Sequence, residues 1–131
     1  MYITLMIDDN PVEHLIMQKM FDHYEVFQNT SHSSNGADII AWMKENCEDE
    51  DNLPDLIFLD LNMPFSGWQF LTELSEIKDV LCKQPVIYIL SSSIDRDEQS
   101  RAQKYPFVKG FMSKPVSKQQ LYDIAEQNIA S

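Results

Sequence analysis

A chain of 131 residues with 21 acidic against 10 basic side chains and a formal charge of −11 has room for one buried core, without a second catalytic or DNA-binding domain. That charge argues against general binding to nucleic acid or to an anionic membrane, and no apolar run approaches the roughly 18 residues of a membrane span. Cys47 and Cys82 show neither CxxC nor Cys/His metal spacing and read as free thiols in a reducing compartment; with no signal sequence opening the chain, the expected location is the cytoplasm.

Short β-type runs alternate with segments of helical period, which predicts a parallel sheet between layers of helices. The first run, Tyr2–Ile7, ends in Asp8 and Asp9. Asn10-Pro11-Val12-Glu13 then starts a helix: Asn10 caps, Pro11 takes the first helical position and Glu13 closes a capping-box-like arrangement. Val12, Leu15, Ile16 and Met20 fall on one face of it. Glu25–Gln28 reads as a weak second strand, and Ser33-Ser34-Asn35-Gly36 as a turn into a helix from about Ala37 to Cys47. The acidic run Glu48–Asp51 and Asn52-Leu53-Pro54 break that helix.

The third run, Leu56–Leu59, leads into Asp60 and is apolar almost throughout, as a central strand buried on both faces should be. Ser66 and Gln69 make a second capping box, followed by Phe70, Leu74, Ile77 and Leu81 at helical spacing. Pro85 opens a fourth strand that runs to Leu90 and ends in Ser91. Asp95 with Glu98 caps a short polar helix ending near Lys104. Phe107–Met112 is the fifth strand and runs into Ser113 and Lys114. Ser117 with Gln120 caps a last helix carrying Leu121, Ile124, Ala125 and Ile129. A single domain over residues 1–131, with no output domain, is the expected organisation.

If these strands are parallel, Asp8, Asp9, Asp60, Ser91 and Lys114 converge at the carboxyl edge of one sheet, where open α/β sheets place their sites. Adjacent carboxylates in such a crevice repel one another unless a cation sits between them. Oxygen ligands with open positions suit Mg²⁺. A carboxylate so placed can itself be a nucleophile toward a phosphoryl donor, and Asp60, on the most buried strand, is the candidate. Lys114 would pair with the phosphoryl group as a point charge and Ser91 would donate a hydrogen bond to it. Each residue alone has a bland reading as a turn or cap residue; their joint placement at successive strand ends is what overturns it.

Met6-Ile7-Asp8-Asp9-Asn10, Leu59-Asp60-Leu61-Asn62-Met63-Pro64, Leu90-Ser91-Ser92 and Ser113-Lys114-Pro115 together resemble the receiver domains of two-component response regulators, over essentially the whole chain. The resemblance implies a doubly wound, flavodoxin-like α/β fold with five parallel strands in the order 2-1-3-4-5. It implies that Asp60 accepts a phosphoryl group from a sensor histidine kinase. Asp9, Asp60 and the backbone carbonyl of Asn62 would ligate Mg²⁺, or Mn²⁺ in its place, with Asp8 acting through a water. Ser91 corresponds to the switch hydroxyl, Lys114 to the lysine that contacts the phosphoryl group and Phe111 to the aromatic switch position. Phe111 lacks the hydroxyl common there, so its switching is steric. Between Pro64 and Gly67 the loop is one residue shorter than the common pattern. Asn62 and Ser93 stand where the lifetime of the acyl phosphate is set, and Ser92 is small enough to leave the site accessible.

The implied partners are a histidine kinase or a histidine phosphotransfer protein, and a downstream protein target bound at the face of the fourth helix, fifth strand and fifth helix. A homodimer through the same face is a further expectation. Six of the ten basic residues, Arg96, Arg101, Lys104, Lys109, Lys114 and Lys118, fall in this stretch beside only Asp97 and Glu98, which reads as solvated helix faces or as a partner-facing patch. Chemistry of this kind includes self-phosphorylation and autodephosphorylation rather than metabolic catalysis. Other readings are a relay passing the group to a histidine phosphotransfer protein, a docking module independent of phosphorylation, and a Mg²⁺-dependent aspartyl-phosphate hydrolase. The hydrolase usually needs an Asp-x-Asp after the first strand and a substrate cap, and neither is present. Gly36, Gly67 and Gly110 are too few to build a P-loop or a dinucleotide fingerprint. His14, His23 and His32, spaced by nine, read as ordinary surface residues. Trp42 and Trp68 read as helix packing, with Trp68 near the Asp60 loop.

Overall fold

The computed structural model describes residues 2–61, 66–92 and 95–129. Strands β1 (Thr4–Ile7), β2 (Thr30–Ser33), β3 (Leu56–Asp60), β4 (Val86–Ser91) and β5 (Val108–Ser113) alternate with helices α1 (Pro11–Tyr24), α2 (Gly36–Glu45), α3 (Gly67–Ile77), α4 (Arg96–Ala102) and α5 (Lys118–Asn128). All neighbouring strands pair in parallel, in the order β2-β1-β3-β4-β5. This is the doubly wound α/β sheet that the alternation predicts.

Side chains alternate across the sheet with a period of two, so each central strand feeds two cores. Leu5, Ile7, Ile57, Leu59, Ile87 and Ile89 face one side, with Ile40 and Met43 of α2 and Phe70 and Leu74 of α3. Met6, Leu56, Phe58, Tyr88 and Leu90 face the other, with Met17 and Phe21 of α1 and Leu121 and Ile124 of α5. All five residues of β3 are buried, which explains the unbroken apolar run.

Two expectations are corrected. The second strand lies at Thr30–Ser33 and not at Glu25–Gln28. Glu25 ends α1 in the left-handed conformation at φ 56°, and Phe27 has φ 50°, so the more apolar segment turns and sends Phe27 into the core. The strand itself is polar because it sits at the sheet edge. On α1, Val12, Leu15 and Ile16 are exposed and the helix packs through Met17 and Phe21, because Phe21 lies against Phe27 and Phe58.

The capping assignments at Ser66/Gln69 and Ser117/Gln120 are both reciprocal boxes. Asn10 caps α1 by accepting from the Val12 N–H. Its own N–H donates to Asp8 Oδ1 at 2.9 Å, the role given to Glu13 by the sequence pattern. The amphipathic run after Ser66 divides into α3 and a single 3-10 turn, Lys78–Val80, with Leu81 buried beyond it.

Candidate functional site

Parallel register builds the site as a staircase. Ile7 pairs with Leu59, Asp60 with Leu90, and Ser91 with Ser113. Asp8 and Asp60 therefore leave adjacent central strands side by side, and Ser91 and Lys114 follow one strand further each. The order reverses between β1 and β3, so this edge is the topological switch point, where ligand crevices form.

Asp8, Asp60 and Ser91 are almost fully buried, while Asp9 is exposed. One carboxylate oxygen from each of Asp8, Asp9 and Asp60 lies within 4.8 Å of the others. Lys114 reaches back to them, with Nζ 2.9 Å from Asp8 Oδ2 and 3.5 Å from Asp60 Oδ1. Burial opposes the charge on that lysine, but the hydrogen bond it donates to Asp8 and the negative fields of Asp60, Asp8 and Glu13 outweigh it and raise its pKa. The Lys114 N–H donates to the Ser91 carbonyl at 2.8 Å, which fixes the end of β5 against β4.

Three carboxylates facing one ammonium leave a local excess of negative charge in a poorly hydrated crevice. Such a site stabilises a hard cation that takes oxygen ligands and keeps water. The side chains present fit a divalent ion of the Mg²⁺ class: all donors are oxygens, they converge from two strands, and the exposed Asp9 leaves an open side.

The beginning of α3 is drawn hard against this edge. The Gly67 N–H donates to the Leu61 carbonyl at 3.1 Å, and a Cβ on Gly67 would stand 2.8 Å from Leu61 Cα and 2.9 Å from the Asp60 carbonyl oxygen. Only glycine permits that approach. Phe111, opposite Ile89 in the sheet, is half-buried and packs against the core, as do Trp68, Tyr105 and Phe107. The Arg101 guanidinium lies 4.3 Å from the centre of the Trp68 ring, a cation–π contact linking α4 to the start of α3.

Asp8, Asp9, Asp60 and Lys114 are thus brought together, and Ser91 ends the adjoining strand. Asn62 and Ser93, and Pro64 of the shortened loop, lie outside the described residues. Sequence reasoning missed two groups at this edge: the Asn10 N–H that holds Asp8, and His14, whose Nε2 is 2.7 Å from the Asp8 carbonyl oxygen. Neither has a strand-end signal, since both come from the loop and first turns after β1.

A five-stranded doubly wound sheet with three carboxylates and a lysine at its switch point defines an open α/β domain whose crevice could hold a divalent cation. Residues 4–126 match the family model described as the response regulator receiver domain, and the chain belongs to that family. No curated protein sequence matches it. Among solved structures, a two-component response regulator from Cytophaga hutchinsonii is similar with a TM-score of 0.82 and 20% identity, over 98% of this chain and 97% of that one. A receiver domain protein from Clostridium thermocellum is similar with a TM-score of 0.76 and 23% identity, over 99% and 95%. The phosphorylated cyanobacterial phytochrome response regulator RcpA is similar with a TM-score of 0.76 and 23% identity, over 98% and 94%. Among the described residues no helix is long and apolar enough to cross a membrane.

Proposed function

We propose that this chain is a phosphoacceptor switch: Asp60 takes a phosphoryl group from a phosphohistidine of a sensor kinase or phosphotransfer protein, and the acyl phosphate changes which protein the chain binds. The observation that carries this reading is the setting of Asp60. It is 4% exposed at the end of the central strand, joins Asp8 and Asp9 in one carboxylate cluster, and lies 3.5 Å from the Lys114 ammonium. An Asp60 oxygen attacks phosphorus, the phosphorus–nitrogen bond of the donor breaks, and the electron pair leaves with the imidazole. Lys114 offsets negative charge on the phosphoryl oxygens, and the Ser91 hydroxyl donates to them. Mg²⁺ or Mn²⁺, which Asp9, Asp60 and the Asn62 carbonyl would hold with Asp8 acting through a water, would supply positive charge beside the same oxygens.

Recruiting Ser91 and Lys114 to the phosphoryl group draws on the ends of β4 and β5, and Phe111 is the side chain whose repacking carries the change outward. The α4–β5–α5 face then exchanges partners. Arg96, Lys104, Lys109 and Lys118 are exposed there, which favours an acidic protein target over a second copy of this chain, whose like charges would meet across a two-fold axis. The phosphodonor approaches from α1, where Val12, Leu15 and Ile16 offer an exposed apolar strip beginning four residues after Asp8. Dependence on such a donor puts the protein in the cytoplasm.

Intact mass after incubation with Mg²⁺ and acetyl phosphate tests the reading. One phosphoryl adduct is expected, lost on chelation and absent from Asp60→Asn. An adduct that persists in Asp60→Asn, or none in the native chain, overturns it.

A further inference from the structure

Outside the carboxylate cluster, two imidazoles meet where sequence spacing gives no hint of contact. His14, in the first turn of α1, and His32, in β2, have their Nδ1 atoms 2.7 Å apart and their rings edge to face at 84°. The remaining ring nitrogens fix both tautomers. His14 Nε2 is 2.7 Å from the Asp8 carbonyl oxygen, which can only accept, so this nitrogen carries the hydrogen. His32 Nε2 is 2.7 Å from Gln18 Oε1. The orientation of that amide is set in turn, because Gln18 Nε2 donates to Asp22 Oδ1 at 2.9 Å. Two neutral imidazoles that each donate through Nε2 must present bare lone pairs at Nδ1.

Lone pairs facing each other at 2.7 Å repel, and the arrangement is satisfied only by a positive centre between them. A proton is one such centre. A metal ion is the other, and the outer contacts are those that metal-bound histidines make: each ring donates its second N–H to an oxygen that holds the tautomer and the ring plane. With metal–nitrogen bonds of about 2.0 Å, the observed separation subtends about 85° at the ion. That suits neighbouring positions of the tetragonal geometry preferred by Cu²⁺ and Ni²⁺, whereas a tetrahedral ion would need the nitrogens about 3.3 Å apart.

We infer that His14 and His32 form a two-imidazole site for a divalent transition-metal ion of the Cu²⁺ or Ni²⁺ class, separate from the oxygen-only site of Asp8, Asp9 and Asp60. His32 is exposed, so solvent water completes the coordination. Mg²⁺ is not a competitor, since it disfavours imidazole. The two sites share the Asp8 main chain through His14 and so stand next to each other without sharing a ligand.

The test is titration of the full chain with Cu²⁺ while Mg²⁺ saturates the carboxylates, followed by electron paramagnetic resonance and calorimetry. One equivalent bound with nitrogen ligation is expected, at least about tenfold weaker in His14→Ala and in His32→Ala. Affinity should be unchanged in His23→Ala and in Asp60→Asn, so failure of the phosphoacceptor reading leaves this result untouched. A second measurement needs no variant: Ni²⁺ should broaden the imidazole proton resonances of His14 and His32 and spare His23. Binding that survives in the double histidine variant, or the absence of stoichiometric binding to the native chain, overturns the site and leaves the pair holding a proton.

Discussion

Lys114 is the residue through which the site is balanced. Its ammonium is a hydrogen-bond donor to a carboxylate that is 1% exposed and lies 3.5 Å from a second, so removing it strips positive charge from two buried anions at once. Lys114→Met is expected to lower metal-free stability by about 2 kcal/mol, the usual range for a hydrogen bond to a charged group, and to slow phosphoryl uptake from acetyl phosphate by about 10²-fold. Urea midpoints and adduct mass against time measure the two effects, and unchanged values would remove Lys114 from both roles. The same residue sets an alkaline limit. Its folded pKa is raised above 10.5, so its contribution is whole below pH 10.5 and is lost as pH rises through the folded value. Tyr2 acts in the same direction: burial first, then the charge of Asp55 and the neighbouring Tyr88, push its phenol from 10.0 to about 12. Its contribution is complete below pH 10 and disappears as pH passes about 12. Stability should therefore decline from pH 10 upward, with a smaller decline in Tyr2→Phe and one late phenol in an absorbance titration. A flat profile between pH 10 and 12 would contradict both assignments.

At the scale of elements, the close approach of α3 to the end of β3 is the most exacting contact at the site. A methyl group at Gly67 meets backbone rather than a movable side-chain tip, so Gly67→Ala should cost about 1–3 kcal/mol, as overpacking does, and should also reduce phosphoryl uptake by displacing the Asp60 carbonyl. Ser66→Ala, which removes only the reciprocal cap of the same helix, should cost about 1 kcal/mol and leave uptake nearly intact. Equal loss of uptake in both variants would show that helix stability, and not the approach, matters. These elements also show what the sequence made legible. The strand ends at Asp8, Asp60 and Ser91 were readable because the central parallel strands are buried and end in apolar runs, so the polar residue that follows marks the carboxyl edge. β2 was not, since an edge strand facing solvent carries no apolar pattern, and the chain spent its apolar residues Val26 and Phe27 on a turn into the core. The pattern of α1 does not single out its buried face, because Val12, Leu15, Ile16 and Met17 are all apolar; only the tertiary contacts of Phe21 decide which of them is buried. The pairing of His14 with His32 left no trace in spacing, because it is set by how α1 lies beside β2.

For the molecule as a whole, Asp8, Asp9 and Asp60 meet where a cation would relieve their repulsion, and Val12, Leu15 and Ile16 leave apolar surface exposed on the helix that follows them. Mg²⁺ should raise unfolding free energy in proportion to the logarithm of its concentration above saturation, by about 2.7 kcal/mol at a hundred times its dissociation constant, read as a rising urea midpoint. Asp9→Asn, at the exposed member of the cluster, should abolish that gain and leave metal-free stability unchanged or slightly higher, since a repulsion is removed; a Mg²⁺ response that survives would place the ion elsewhere. The apolar strip makes a different demand. Leu15 is 57% and Ile16 43% exposed, so both leave apolar area in water that a folded monomer gains nothing from, and they neighbour a groove lined by Glu13, Met17, Met20, Lys114 and Pro115. A small phosphodonor reaches Asp60 without touching this strip, whereas a protein donor must cover it. Leu15→Glu combined with Ile16→Glu should therefore leave stability within about 0.5 kcal/mol of the native chain, as surface substitutions do, and leave uptake from acetyl phosphate unchanged. Transfer from a phosphorylated histidine phosphotransfer protein should fall by tenfold or more, about 1.4 kcal/mol for each factor of ten. If both donors slow equally the strip supports the site itself, and if neither slows the protein donor enters from another side of the carboxylate edge.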